Sequence, residues 1–78
     1  MTPQEILNYV KAKPFRPFRI QMNSGRTFDI RHPEMVQVGR RDLLIFKFVG
    51  DSPEIYDRWD NISLVLIESI SPLEAPVA

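Results

Sequence analysis

The sequence predicts a mainly-β fold: a small five-stranded barrel made from one bent sheet, preceded by a single N-terminal α-helix. Three observations carry this prediction. Residues 16–31 alternate apolar and polar side chains around a short gap containing Gly25, which is the signal of a β-hairpin. The first residues hold a complete helix-start signal, Thr2-Pro3 followed by Glu5. Later runs rich in β-branched and aromatic residues are cut into strand lengths by Gly39, Gly50-Asp51-Ser52-Pro53 and Pro72. All of it fits one domain over residues 1–72, with 73–78 as a loose C-terminal tail.

The helix is expected over residues 3–12. Thr2 caps it, Pro3 suits its first position, and Glu5 closes a capping box. Ile6, Leu7 and Val10 fall on one stripe with Tyr9 at its margin. Lys11 and Lys13 suit the negative end of the helix dipole, and Pro14 stops the helix. So short a helix needs its stripe docked, and the open end of a sheet is the expected place.

The register of the hairpin over residues 16–31 follows from its side chains. A turn at Ser24-Gly25 alone would oppose Ile20 to Asp29 and mix the two faces. A loop of Asn23, Ser24 and Gly25 instead opposes Phe18 to Ile30, Ile20 to Phe28 and Arg19 to Asp29. One face is then apolar and the other charge-paired, and Gly25 takes the left-handed position that penalises a Cβ. His32-Pro33 breaks the second strand at a bulge, bend or edge. Met35, Val36 and Val38 resume it as far as Gly39. After the turn at Arg40-Arg41-Asp42, Leu43 to Val49 is apolar on both faces apart from Lys47, as a central strand would be. Glu54 to Trp59 reads as the next strand. Asp60 then either caps a helical turn over residues 61–65 before a last strand, Leu66 to Ser71, or one strand runs unbroken from Ile62 to Ile70.

Composition excludes several function classes. There is no cysteine, hence no disulfide framework and no thiolate metal site. No apolar run has the length of a membrane span, and no secretory leader is recognisable, so a cytoplasmic, non-membrane protein is expected. Ten Lys and Arg balance ten Asp and Glu, but unevenly: residues 1–47 carry a net +5 and residues 48–78 a net −5. Such halves either neutralise each other on folding or leave a basic and an acidic face for head-to-tail contact.

The order of helix, long hairpin, apolar strand, turn, strand, helical turn and closing strand Ile67-Glu68-Ser69-Ile70-Ser71-Pro72 resembles the Sm and Hfq small barrel over roughly residues 3–72. A closer similarity is to short uncharacterised bacterial proteins with the run Pro14-Phe15-Arg16-Pro17-Phe18-Arg19-Ile20, then Ser24-Gly25-Arg26, Arg31-His32-Pro33-Glu34 and Gly39-Arg40-Arg41. That likeness implies no particular activity. The Sm resemblance implies ring assembly through strands four and five, and hence a protein interface at Tyr56, Arg58, Ile67 and Ile70.

Candidate chemistry is sparse. His32 is the sole histidine, and as base or ligand it would need converging carboxylates or a second imidazole. A transition-metal site would take ligands from another protomer. The plainer expectation is an imidazole hydrogen-bonded to backbone around the Pro33 break. No nucleophile has a plausible base and no glycine loop cradles phosphate, so neither catalysis nor a cofactor is expected. Six arginines with Phe15, Phe18 and Phe28 among them suggest single-stranded RNA, since guanidinium forks grip phosphate and aromatic faces stack bases. Against this, Phe18 and Phe28 fall on the core face and Arg19 meets Asp29. The nucleic-acid candidates are therefore Arg26, Arg40 and Arg41 at turn tips, with Arg16. Tyr56-Asp57-Arg58 also departs from the Tyr-Lys-His run of Hfq, placing an acid where phosphate would sit. A sole tryptophan, Trp59, is expected in the core of so small a domain, leaving Tyr56 and Arg58 to face out. The expected role is a non-catalytic binding or assembly module that self-associates through strand edges or meets a protein partner; the alternative is an RNA-binding ring.

Overall fold

The computed structural model describes residues 1–50 and 54–73. Helix α1 spans Pro3–Val10 with Thr2 as its N-cap. The Thr2 N–H donates to Glu5 Oε1 at 2.9 Å and the Glu5 N–H donates to Thr2 Oγ1 at 3.2 Å, completing the capping box. The Thr2 N–H first, and the Thr2 hydroxyl that also donates to Glu5 Oε1 at 3.1 Å, hold the Glu5 carboxyl below its ordinary value. The helix ends short of the expected residue 12 because Lys11 already leaves helical geometry (φ −94°, ψ 3°), its N–H still donating to the Leu7 carbonyl. The Lys13–Pro14 peptide bond that follows is cis. Ile6 is fully buried, Val10 packs against the core, and the helix docks beside the third strand.

Strands β1 (Phe18–Met22) and β2 (Thr27–Ile30) form the hairpin in the register that binary patterning demands: Phe18 opposite Ile30, Arg19 opposite Asp29, Ile20 opposite Phe28. The loop closes with the Met22 N–H on the Arg26 carbonyl at 2.8 Å, and Gly25 takes φ +94°. Pro33–Met35 then forms a 3₁₀ turn, with the Met35 N–H donating to the His32 carbonyl at 3.1 Å. Beyond it run β3 (Val36–Val38) and β4 (Asp42–Phe48). Next come β5 (Tyr56–Ser63), a second 3₁₀ turn (Leu64–Leu66) and β6 (Ile67–Pro72).

The expectation of one closed five-stranded barrel is corrected here. Six strands form two antiparallel three-stranded sheets, ordered β2-β1-β6 and β3-β4-β5, and no pairing joins them among the described residues. Both crossings between the sheets are 3₁₀ turns flanked by extended residues. Such turns carry the chain round a corner into the other sheet; they do not reverse it into a hairpin. β4 is central to its sheet, as its two apolar faces require. The helical turn comes at Leu64–Leu66, later than residues 61–65, and Asp60 belongs to β5 and caps nothing. Turn residues 51–53 and the tail residues 74–78 lie outside the described residues.

The core gathers one face of each sheet. Phe18, Ile20, Ile30, Leu43, Ile45 and Leu64 are at most 2% exposed, and no polar or charged residue is buried among the described residues. The second 3₁₀ turn ties the structure together. Leu64 N–H donates to the Arg41 carbonyl, and the Leu66 carbonyl accepts from Asn23 N–H, both at 2.9 Å.

Candidate functional site

Two features rise above a plain globular surface: a cationic cleft between the sheets and an apolar stretch along β5. The cleft, of about 630 Å³, runs from β2 across the inner ends of β4 and β5. Its floor is Phe28, Met35 and Ile45, and Arg26, Arg31, Lys47 and Arg58 stand around it. Lys47 and Arg58 are there because alternation along β4 buries Leu43 and Ile45 and brings Lys47 onto the same side, and Arg58 is its cross-strand partner. The Arg26 guanidinium lies over the Phe28 ring at 4.9 Å and reaches Asp60 Oδ1 at 3.5 Å. Asp29, the other acid of the cleft wall, is held by Arg19 in a two-point contact, Nε to Oδ1 at 2.7 Å and Nη2 to Oδ2 at 3.2 Å. That hydrogen bonding keeps the Asp29 carboxyl below its ordinary value, burial opposing it more weakly, and raises Arg19.

The second feature is produced by a β-bulge. Lys47 opposes Arg58 but Phe48 opposes Tyr56, so Asp57 is an extra residue on β5. Strict alternation would put Tyr56 with Arg58, and the bulge parts them: Tyr56 lies edge-on to Phe46 at 5.3 Å, while Arg58 joins the cleft. Tyr56 and Arg58 are both exposed, as expected, but the bulge keeps them from forming one pair. The expected core position of Trp59 is corrected. It opposes Phe46 at the sheet margin and is 51% exposed, because β5 is an edge strand whose buried apolar residue is Ile62. Seven large apolar residues are exposed among those described, and six of them, Val49, Ile55, Tyr56, Trp59, Val65 and Leu66, lie along β5 and its two ends.

Of the remaining sequence candidates, Arg26 and His32 line the cleft, and Arg16, Arg40 and Arg41 do not. Arg26 is not unpaired, being engaged by Asp60 and Phe28. Arg40 and Arg41 are exposed in the β3–β4 turn. Arg16 precedes β1 at the end where Phe18 meets Ile30 and Pro72, a strand length from the hairpin loop that holds Arg26. No single patch therefore collects the four. Phe18 and Phe28 are buried, which removes two of the three expected stacking rings. Ile67 is core at 7% exposure and offers no face to a partner, whereas Ile70 is half-buried against the core. His32 is exposed and makes no side-chain cap bond; its carbonyl, not its imidazole, stabilises the Pro33 break. No helix among the described residues is long and apolar enough to cross a membrane.

The cleft escaped the sequence because Arg26 comes from the hairpin loop and Lys47 and Arg58 from two separate strands. The opposition of Lys47 to Arg58 depends on a β4–β5 register that no turn motif fixes. What fold and surface define is a small two-sheet β protein with an apolar edge and a cationic cleft. Comparison of the chain with protein-family models, with curated proteins and with solved structures finds no match.

Proposed function

We propose that this protein is a non-catalytic binding and assembly module that self-associates through the edges of β5 and β6, on the plan of an Sm-like small barrel. The observation that carries the reading is the concentration of exposed Ile55, Tyr56, Trp59, Val65 and Leu66 on β5 and the turn after it. Aromatic residues on a sheet edge supply large contact area at small entropic cost, and an open edge offers backbone groups to a further strand. The strand order is compatible with the plan: β5 and β6 are each the edge of a three-stranded sheet. An edge of one copy set against a different edge of the next makes a heterologous contact, which closes into a ring or extends as a filament.

Light scattering coupled to size exclusion, run over a range of concentrations, tests this directly. A mass that is a multiple of 9.1 kDa and insensitive to salt is expected. A monomer at every concentration would refute it. Oligomers that dissociate as salt rises would point to charge, not to the apolar edge.

A further inference from the structure

We infer that the cleft between the sheets is a binding site for a small organic anion with a flat apolar body, of the class of nucleoside monophosphates and aryl carboxylates. The inference goes beyond the assembly reading, because the cleft lies between the sheets and does not draw on the exposed apolar residues of β5. Three observations converge on it.

The first is charge placed against itself. Lys47 and Arg58 are directly opposed across β4 and β5 and both line the cleft. Like charges facing each other across a ladder repel, so the pair costs stability unless an anion lies between. The ion pairs among the described residues, Arg19–Asp29 and Arg26–Asp60, include neither of them.

The second is the state of the cleft's acids. Asp29 and Asp60 are each engaged by an arginine, and Lys47 and Arg58 stand beside them on the cleft wall. A metal cation is disfavoured by that sign, whereas a phosphate or carboxylate gains two or more charge-assisted hydrogen bonds.

The third is the apolar floor. Phe28, Met35 and Ile45 form it, and the Arg26 guanidinium carbon lies over Phe28, 4.9 Å from the ring centroid. A planar ring can pack against that guanidinium. The volume of about 630 Å³ falls in the range of small-molecule sites. It suits a single ring-bearing group better than a polynucleotide, whose footprint would need the scattered arginines gathered.

The test is a titration of the ¹⁵N-labelled full chain, followed by heteronuclear NMR, with adenosine 5′-monophosphate and, separately, 4-hydroxybenzoate. Adenosine and inorganic phosphate serve as half-ligands. Saturable shifts are expected at the amides of Arg26 to Asp29, Lys47 and Arg58 to Asp60. At least one of the two organic anions should bind more tightly than either half-ligand, and which one does so names the source of the anion. Lys47→Glu with Arg58→Glu should weaken that binding by about tenfold or more, the scale of a lost charged hydrogen bond. Lys47→Gln, which only removes one charge, should weaken it less, and it stands in should the double variant not fold. Trp59→Ala should leave it unchanged. The inference is overturned if neither organic anion gives saturable shifts at the cleft, if adenosine binds as well as its phosphate and 4-hydroxybenzoate does not bind, or if the folded charge variants bind as the parent does. Failure of self-association leaves all these outcomes readable, since each is measured on whatever assembly state the chain adopts.

Discussion

Trp59→Ala separates what the β5 edge does for assembly from what it does for the fold. Trp59 is 51% exposed. A tryptophan side chain offers about 250 Å² of surface, so roughly 125 Å² of it is open to a partner. Covering that area at about 25 cal/mol per Å² is worth about 3 kcal/mol. A deletion of that size raises a dissociation constant by about a hundredfold. Sedimentation velocity over a concentration series reads this as a shift of the assembly midpoint to higher protein concentration. The half of the ring that is already covered, beside Phe46 on β4, costs the monomer as well, and a circular-dichroism melt reads that loss separately. Because the contact is apolar, raising the salt should leave the parent's midpoint nearly in place; binding of a polynucleotide by the basic turns would weaken steeply. An assembly midpoint unchanged by Trp59→Ala, in a variant that still melts cooperatively, would refute the assignment of this edge.

Other outcomes follow from the interior and from the charged face. Ile20 is fully buried between Phe28 and Ile70, so Ile20→Ala should cost about 2–5 kcal/mol. That is a large share of the roughly 4–12 kcal/mol available to a chain this size, and the urea midpoint should fall accordingly. A midpoint that does not move would show that the two sheets do not share one core. The folded Asp29 carboxyl sits below its ordinary value because Arg19 hydrogen-bonds it. Its contribution is therefore present above the ordinary carboxylate range and is lost as the pH falls through the lowered folded value. Asp29→Asn should flatten the acid limb of stability against pH while changing little at neutrality, since the pair is exposed. An acid limb identical to the parent's would show that the pair does not persist in solution.

Much of the fold was legible because local signals and the global arrangement agree. Thr2 and Glu5 write the helix start, and the alternation from Phe18 to Ile30 leaves one register with an unmixed face. Gly25 marks the loop, and the two apolar faces of β4 announce a central strand. The failures share a different origin. Residue type points Trp59 to the core, but its strand enters the core through Ile62 and leaves Trp59 at the margin. Tyr56 and Arg58 were paired by alternation, which the unforeseen bulge at Asp57 interrupts. Barrel closure was inferred from strand count, whereas the 3₁₀ corners at Pro33 and Leu64 decide whether a bent sheet meets itself. Arg26 looked unpaired because Asp60 lies far along the chain. Each miss concerns a long-range relation, and short-range patterning carries no information about those.

The corner at Leu64–Leu66 has a bearing on how the chain matures. It is tied to Arg41 and Asn23, partners from far earlier in the sequence, one in the β3–β4 turn and one in the β1–β2 loop. Distant segments must be brought together, at the cost of chain freedom, before those bonds can form. As the polypeptide emerges during synthesis, both ribbons can be drafted before anything clasps them to each other. A product truncated ahead of Leu64 lacks the clasp altogether and would show its unguarded Trp59 strand to every neighbour, an invitation to clump and not to finish folding.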